Sequence, residues 1–294
     1  MSLTLKGVFS ALITPFENGE VDYTSLEKLV DYQVSQGING LVINGTTAES
    51  PTLTPNEVKK IFSIVRAMVG LQFPLILGTG SNSTAKSMED TQKAAELGAD
   101  AALVVVPYYN KPPQRGLVQH YKAIAKNSEI PVIMYNVPGR TITSMAAETI
   151  WELSDIKNIL GIKEASGDIV FDERIKSKLP NDFVFLSGDD GTYIDFLKLG
   201  GHGIISVMSN IIPKLTVEWT QAVMNGSVKE TEIAFNKFKA LIDGMYIEAN
   251  PIPVKWMLHR KGLIKSPEMR LPLMELHPKY RAATEKLMLD VGLL

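Results

Sequence analysis

The chain has 294 residues, 45% hydrophobic and 21% charged, with a net charge of -2 at pH 7. That balance suits one large or two medium globular domains and gives no long-range pull on nucleic acid or anionic membrane. Cysteine is absent, which excludes disulfides, thiolate catalysis and cysteine-based zinc sites, and the four histidines show no H-x-H or H-E-x-x-H spacing for a metal.

The first stretch, MSLTLKGVFSALITPF, is broken by Pro15 and too short in its apolar run to span a membrane. It also lacks a basic region and a small-residue cleavage site, so no secretory signal is expected and a cytoplasmic location follows. Eight short apolar runs then come in order, at 8–14, 40–44, 74–80, 101–106, 131–136, 159–165, 183–188 and 203–207. They are continuous rather than alternating, the pattern of parallel strands buried on both faces.

Helical segments lie between them. In TPNEVKKIFSIVRAMVG, Thr54 is an N-cap, Pro55 takes the first helical position and Glu57 completes a capping box. Ile61, Ile64, Val65 and Met68 are expected to form its apolar face, with Gly70 past the end. DYTSLEKLVDYQVSQG starts at Asp22 and stops at Gly37 in the same way. SQGINGLVI, ELGADAALVV and KLGGHGIISV repeat one theme: a helix end, a glycine turn and a strand.

Eight strand–helix units predict an α/β fold, a (β/α)8 TIM barrel over residues 1–230. A doubly wound open sheet is the rival, but no G-x-G-x-x-G opens a helix. Residues 231–294 predict a C-terminal helical extension, with ETEIAFNKFKALIDGMYIE and KYRAATEKLMLDVGLL as amphipathic helices and NPIPVKWML leading into another.

In such barrels the reacting groups stand at the C-terminal ends of the strands. Those ends carry GTTAES (Thr46, Thr47, Glu49, Ser50), PYYN (Tyr108, Tyr109), YNVPGRT (Tyr135, Arg140), Lys163, SGDDGT and ISVMSN. Lys163 ends an apolar strand, where it either snorkels to water or is held dry for its chemistry. A dry lysine loses proton affinity, and the neutral amine attacks a keto carbon to give a Schiff base. Tyrosine and threonine hydroxyls both donate and accept, so Tyr135, Tyr108, Tyr109, Thr46 and Thr47 are the candidate proton shuttles. Blander readings stand beside these: a capping box from Thr46 to Glu49, a packed aromatic loop at PYYN, a solvated Arg140 rather than a carboxylate clamp, and a helix-capping loop rather than paired acids at Asp189 and Asp190.

NGTTAES, PYYNKP, YNVPGRT, GIKEASGD, SGDDG and GGHGIISV, in that order, closely resemble the 4-hydroxy-tetrahydrodipicolinate synthase (dihydrodipicolinate synthase) family. That family belongs to the pyruvate-dependent class I aldolases and lyases. The resemblance covers nearly the whole chain, NPIPVK included. It implies condensation of pyruvate with L-aspartate 4-semialdehyde, on the way to diaminopimelate and lysine, with no cofactor beyond a covalent Schiff base on Lys163. It also implies Thr46, Tyr135 and Tyr109 as the proton relay, with Tyr109 lent by the neighbouring subunit of a tight dimer. Thr47 would hold the pyruvate carboxylate and Arg140 that of the semialdehyde. Gly188 and Ile205 would line the pyruvate pocket, and two dimers would form a homotetramer.

Two departures stand out. Ala48 replaces a usual glycine, which costs about 1 kcal/mol or more if that position needs φ > 0. Ser50, Asn82 and Tyr108 match the family's allosteric lysine site, but Val58 stands for a histidine and Lys86 for a glutamate. Lys86 would repel the inhibitor's charge, so weak or absent inhibition by lysine is expected. The alternatives are N-acetylneuraminate lyase or a 2-keto-3-deoxy sugar acid aldolase, which usually lack Arg140. A non-enzymatic pyruvate-binding regulator would not need Tyr109, Tyr135 and Lys163 together.

Overall fold

The structure is a computed structural model that describes residues 5–294, so the first residues of the N-terminal stretch lie outside the described residues. Its strands are β1 (Gly7–Ala11), β2 (Phe16–Glu17), β3 (Glu20–Val21), β4 (Gly40–Ile43) and β5 (Leu75–Gly78). They continue with β6 (Ala101–Val105), β7 (Val132–Asn136), β8 (Ile159–Glu164), β9 (Val184–Ser187) and β10 (Gly203–Ser206). β1 and β4 to β10 close into a parallel barrel in the order β1-β10-β9-β8-β7-β6-β5-β4, while β2 and β3 pair as a separate antiparallel ribbon. The eight apolar runs are the eight barrel strands, and the chain is a TIM barrel followed by C-terminal helices.

The chain divides into two compact units. One takes residues 5–7 and Pro74–Ile205; the other takes Val8–Phe73 and Ser206–Leu294. In the first, a continuous core runs from Ala102 and Val104 through Tyr121, Met134, Ile150 and Ile162 to Phe185 and Phe196. Parallel pairing sets Tyr135 opposite Lys163 and Lys163 opposite Leu186. The register shifts at Val132/Ile133 beside Gly161, where a Cβ would fall 2.2 Å from the Val184 carbonyl oxygen. Only glycine lets the strands approach so closely there.

In the second unit, the helix Tyr23–Ser35 is capped by Asp22, whose side chain accepts from the Ser25 N–H at 3.1 Å. The helix Pro55–Val69 carries the expected capping box between Thr54 and Glu57. Its buried face is Ile61, Phe62 and Val65; Met68 is exposed, a rotation from the expected stripe that sinks the larger Phe62 ring instead. The segment expected as one helix after residue 230 is two, Val228–Asn236 and Lys239–Gly244. They meet where Phe235 and Phe238 both pack edge-on against Trp219. Helices Ile252–Arg260 and Pro278–Asp290 complete the C-terminal region. Among the described residues no helix is long and apolar enough to cross a membrane.

Candidate active site

Lys163 is the fifth residue of β8 and only 5% exposed, although β8 is otherwise apolar up to Glu164. The snorkelling alternative therefore fails. Burial lowers its pKa from 10.5 to about 7; the Asp190 carboxylate pulls the other way and the Arg140 guanidinium reinforces the drop. The ammonium nitrogen lies 4.3 Å from the centroid of the Tyr135 ring.

The strand ends around Lys163 are braced by polar side chains. Asn136, the last residue of β7, donates through Nδ2 to Glu164 Oε2 at 2.7 Å and accepts from the Met145 N–H at 3.0 Å. Glu164 also accepts from the Ser166 N–H at 2.5 Å. Burial pushes the Glu164 carboxyl above its usual range, against the pull of these hydrogen bonds. Tyr135 and Lys163, the residues just before Asn136 and Glu164, are thereby held at fixed heights on paired strands.

Gly188, next after β9, fits around the lysine. A Cβ there would fall 2.6 Å from Lys163 Cε and 2.7 Å from Ala165 Cβ, so only glycine leaves the lysine its position. Ile205, in β10, is fully buried. The loop after β9 divides its two acids: Asp189 caps the next turn, accepting from Thr192 N–H and Oγ1 at 2.9 and 2.8 Å. Asp190 is 1% exposed and is the acid whose field reaches Lys163.

Arg140 is exposed on the short helix Pro138–Thr141. Tyr109 is 87% exposed and held at φ 72°, while Tyr108 is 40% exposed. Neither tyrosine is packed into an aromatic core, so that reading of PYYN does not hold. The same loop is tied to Asn82, whose carbonyl accepts from Asn110 Nδ2 at 2.8 Å. Lys86 is drawn to its own helix, 2.6 Å from Asp90 and 3.8 Å from Glu89.

The threonine turn belongs to the second unit. Thr46–Ala48 form a 3-10 turn after β4, with Thr46 half-buried and Thr47 3% exposed. The left-handed residues here are Asn44 (φ 57°) and Glu49 (φ 58°), so Ala48 escapes the strain anticipated for it. No side chain caps the turn, which removes the capping-box reading of Thr46 and Glu49. Glu49 is instead buried and paired with Lys255 at 2.8 Å, their side chains 1% and 0% exposed. Asn250 Nδ2 donates to Thr47 Oγ1 at 2.9 Å. Ser50, half-buried, opens the following 3-10 turn.

Asn136, Glu164, Asn250 and Lys255 were not among the expected site residues, and Glu49 and Asp190 were expected chiefly as caps. The signal available was a charged or amide side chain next to an apolar strand or in an apolar helix, where burial demands a partner. Among the described residues no group of three or more His, Asp or Glu side chains is arranged to hold a metal.

A closed parallel barrel with a desolvated lysine, a tyrosine and a fitted glycine at its C-terminal strand ends defines a TIM-barrel enzyme. More narrowly, the chain belongs to the dihydrodipicolinate synthetase family, whose model matches residues 4–290. It is 50% identical over 289 residues to a 4-hydroxy-tetrahydrodipicolinate synthase of Bdellovibrio bacteriovorus, covering 98% of this chain and 99% of that one. The corresponding enzyme of Kosmotoga olearia is 46% identical over 292 residues, with 98% and 99% covered. The fold matches the chloride-inhibited dihydrodipicolinate synthase of Acinetobacter baumannii, solved in complex with pyruvate, at a TM-score of 0.96 and 42% identity. That match covers 99% of this chain and 100% of the other.

Proposed function

We propose that this lyase condenses pyruvate with L-aspartate 4-semialdehyde, through a Schiff base on Lys163, to give 4-hydroxy-tetrahydrodipicolinate. The observation that carries the reading is the state of Lys163: buried, its pKa near 7, beside the Tyr135 ring. In that state a large share of the amine is neutral at physiological pH and able to attack.

The neutral nitrogen adds to C2 of pyruvate, and loss of water leaves a protonated imine. That imine draws electrons from the methyl carbon, a proton leaves, and an enamine forms. The enamine carbon attacks the aldehyde carbon of the second substrate, whose oxygen takes up a proton. The amino group of that substrate then replaces Lys163 at C2, which closes the ring and frees the lysine. One water is released overall, and no external cofactor is needed.

Tyr135, Thr46 and Tyr109 move the protons, each hydroxyl accepting from one side and donating to the other. Thr47 holds the pyruvate carboxylate, Gly188 and Ile205 shape the space for its methyl and keto groups, and Arg140 takes the carboxylate of the semialdehyde. Tyr109 acts from the neighbouring subunit of a dimer, and two dimers make a tetramer. An exposed tyrosine held at φ 72° supports a role completed by a partner. The reaction takes place in the cytoplasm.

Arg140 decides between this aldehyde and the polyols of the sibling lyases, because a guanidinium on that loop suits a carboxylate. A coupled assay tests the choice. L-Aspartate 4-semialdehyde is expected to be turned over at least ~100-fold more efficiently than N-acetylmannosamine or glyceraldehyde, a preference lost in Arg140→Ala. Equal turnover of a polyol aldehyde would overturn the assignment.

A further inference from the structure

The C-terminal segment that carries NPIPVK does more than close the fold. We propose that Asn250 and Lys255 are positioning residues that set the Thr46–Glu49 turn for carboxylate binding. The proposal rests on the reading that Thr47 holds the pyruvate carboxylate.

Asn250 is 5% exposed and donates through Nδ2 to Thr47 Oγ1. A hydroxyl oxygen that accepts there keeps its own hydrogen free to donate elsewhere. Asn250 thus selects the donor orientation of Thr47, the orientation an anionic ligand requires.

Lys255 fixes the other end of the turn. Its ammonium donates to Glu49 Oε1 at 2.8 Å and lies 4.3 Å from the centroid of the Phe16 ring. Glu49 Oε2 accepts from the Arg270 N–H at 3.0 Å, and the Glu49 N–H donates to the Thr46 carbonyl at 3.1 Å. Glu49 holds φ 58°, a conformation that a non-glycine residue keeps only when its surroundings enforce it. The buried pair enforces it, and the turn bearing Thr46 and Thr47 ends on that residue.

Stability alone does not explain the pair, because a packed apolar pair of similar volume commonly serves as well or better. What an apolar pair cannot do is hold Glu49 by two directed hydrogen bonds. The arrangement therefore serves geometry.

The test separates position from folding. Asn250→Leu removes the donor at similar volume. Its pyruvate KM is expected to rise ~10-fold or more, while the KM for the semialdehyde shifts less than ~2-fold. Saturating pyruvate with borohydride should still label Lys163. The double variant Glu49→Gln/Lys255→Met removes both buried charges together, so that neither is stranded. It is expected to melt within a few degrees of the parent yet show the same selective rise in pyruvate KM. An unchanged pyruvate KM in either folded variant would overturn the proposal, as would parallel losses in every kinetic parameter. Failure of the unaltered protein to take up any pyruvate adduct would sink the proposed reaction and this inference with it.

Discussion

Lys163 and Lys255 are both buried, 5% and 0% exposed, and in both burial lowers proton affinity, yet their surroundings differ. Lys255 faces the Glu49 carboxylate at 2.8 Å, which opposes the loss and keeps a charged, directional contact. At Lys163 burial outweighs the pull of the Asp190 carboxylate, an arginine works against its charge and an aromatic ring is its neighbour. Burial removes water from an amine; the charges around it then decide how far its proton affinity falls.

Substitution by methionine should split the two most sharply. Lys163→Met is expected to lose at least ~1000-fold in kcat/KM, since no neutral amine remains to attack. It should also be more stable than the parent. Between about pH 7 and the ordinary lysine value of 10.5, the unfolded chain binds a proton that the folded chain does not, so parent stability rises with pH across that window. The variant lacks this dependence, and melting curves at neutral and alkaline pH check it. Lys255→Met does the reverse: it strands the Glu49 carboxylate and should cost about 3–5 kcal/mol in urea unfolding, much of it recovered when Glu49→Gln is added. If both lysines responded alike, the contrast drawn between them would be broken.

The smallest effect concerns free lysine. With Lys86 in place of a carboxylate, and already close to Asp90 and Glu89, millimolar lysine is expected to change the initial rate by less than ~20%. Half-inhibition below about 1 mM would contradict that reading.

Much of this was legible in the sequence because it is written in short range. Continuous apolar runs, glycine turns and the Thr54–Glu57 box each specify a local element, and the barrel follows from their alternation. Lys163 and Tyr135 stood out because polar groups at the ends of apolar strands need a reason. What escaped depends on partners far apart in sequence: Glu49 with Lys255, Thr47 with Asn250, Asn136 with Glu164. No periodicity marks such pairs, and a four-residue motif such as Thr46–Glu49 invites a local explanation, a capping box, that the fold replaces with a distant one. The helix Pro55–Val69 shows a milder form: spacing gave the stripe, and the bulk of Phe62 turned it.

The proposed reaction requires Lys163 to be uncharged often enough to bond to a keto acid. The most direct check is the rate of borohydride-trapped pyruvate uptake, read by intact mass and peptide mapping across about pH 5 to 10. The predicted result is a single adduct on Lys163 whose rate of formation climbs through about pH 7 and then levels off. A rate still climbing towards 10.5, or an adduct mapped to a different lysine, would contradict it.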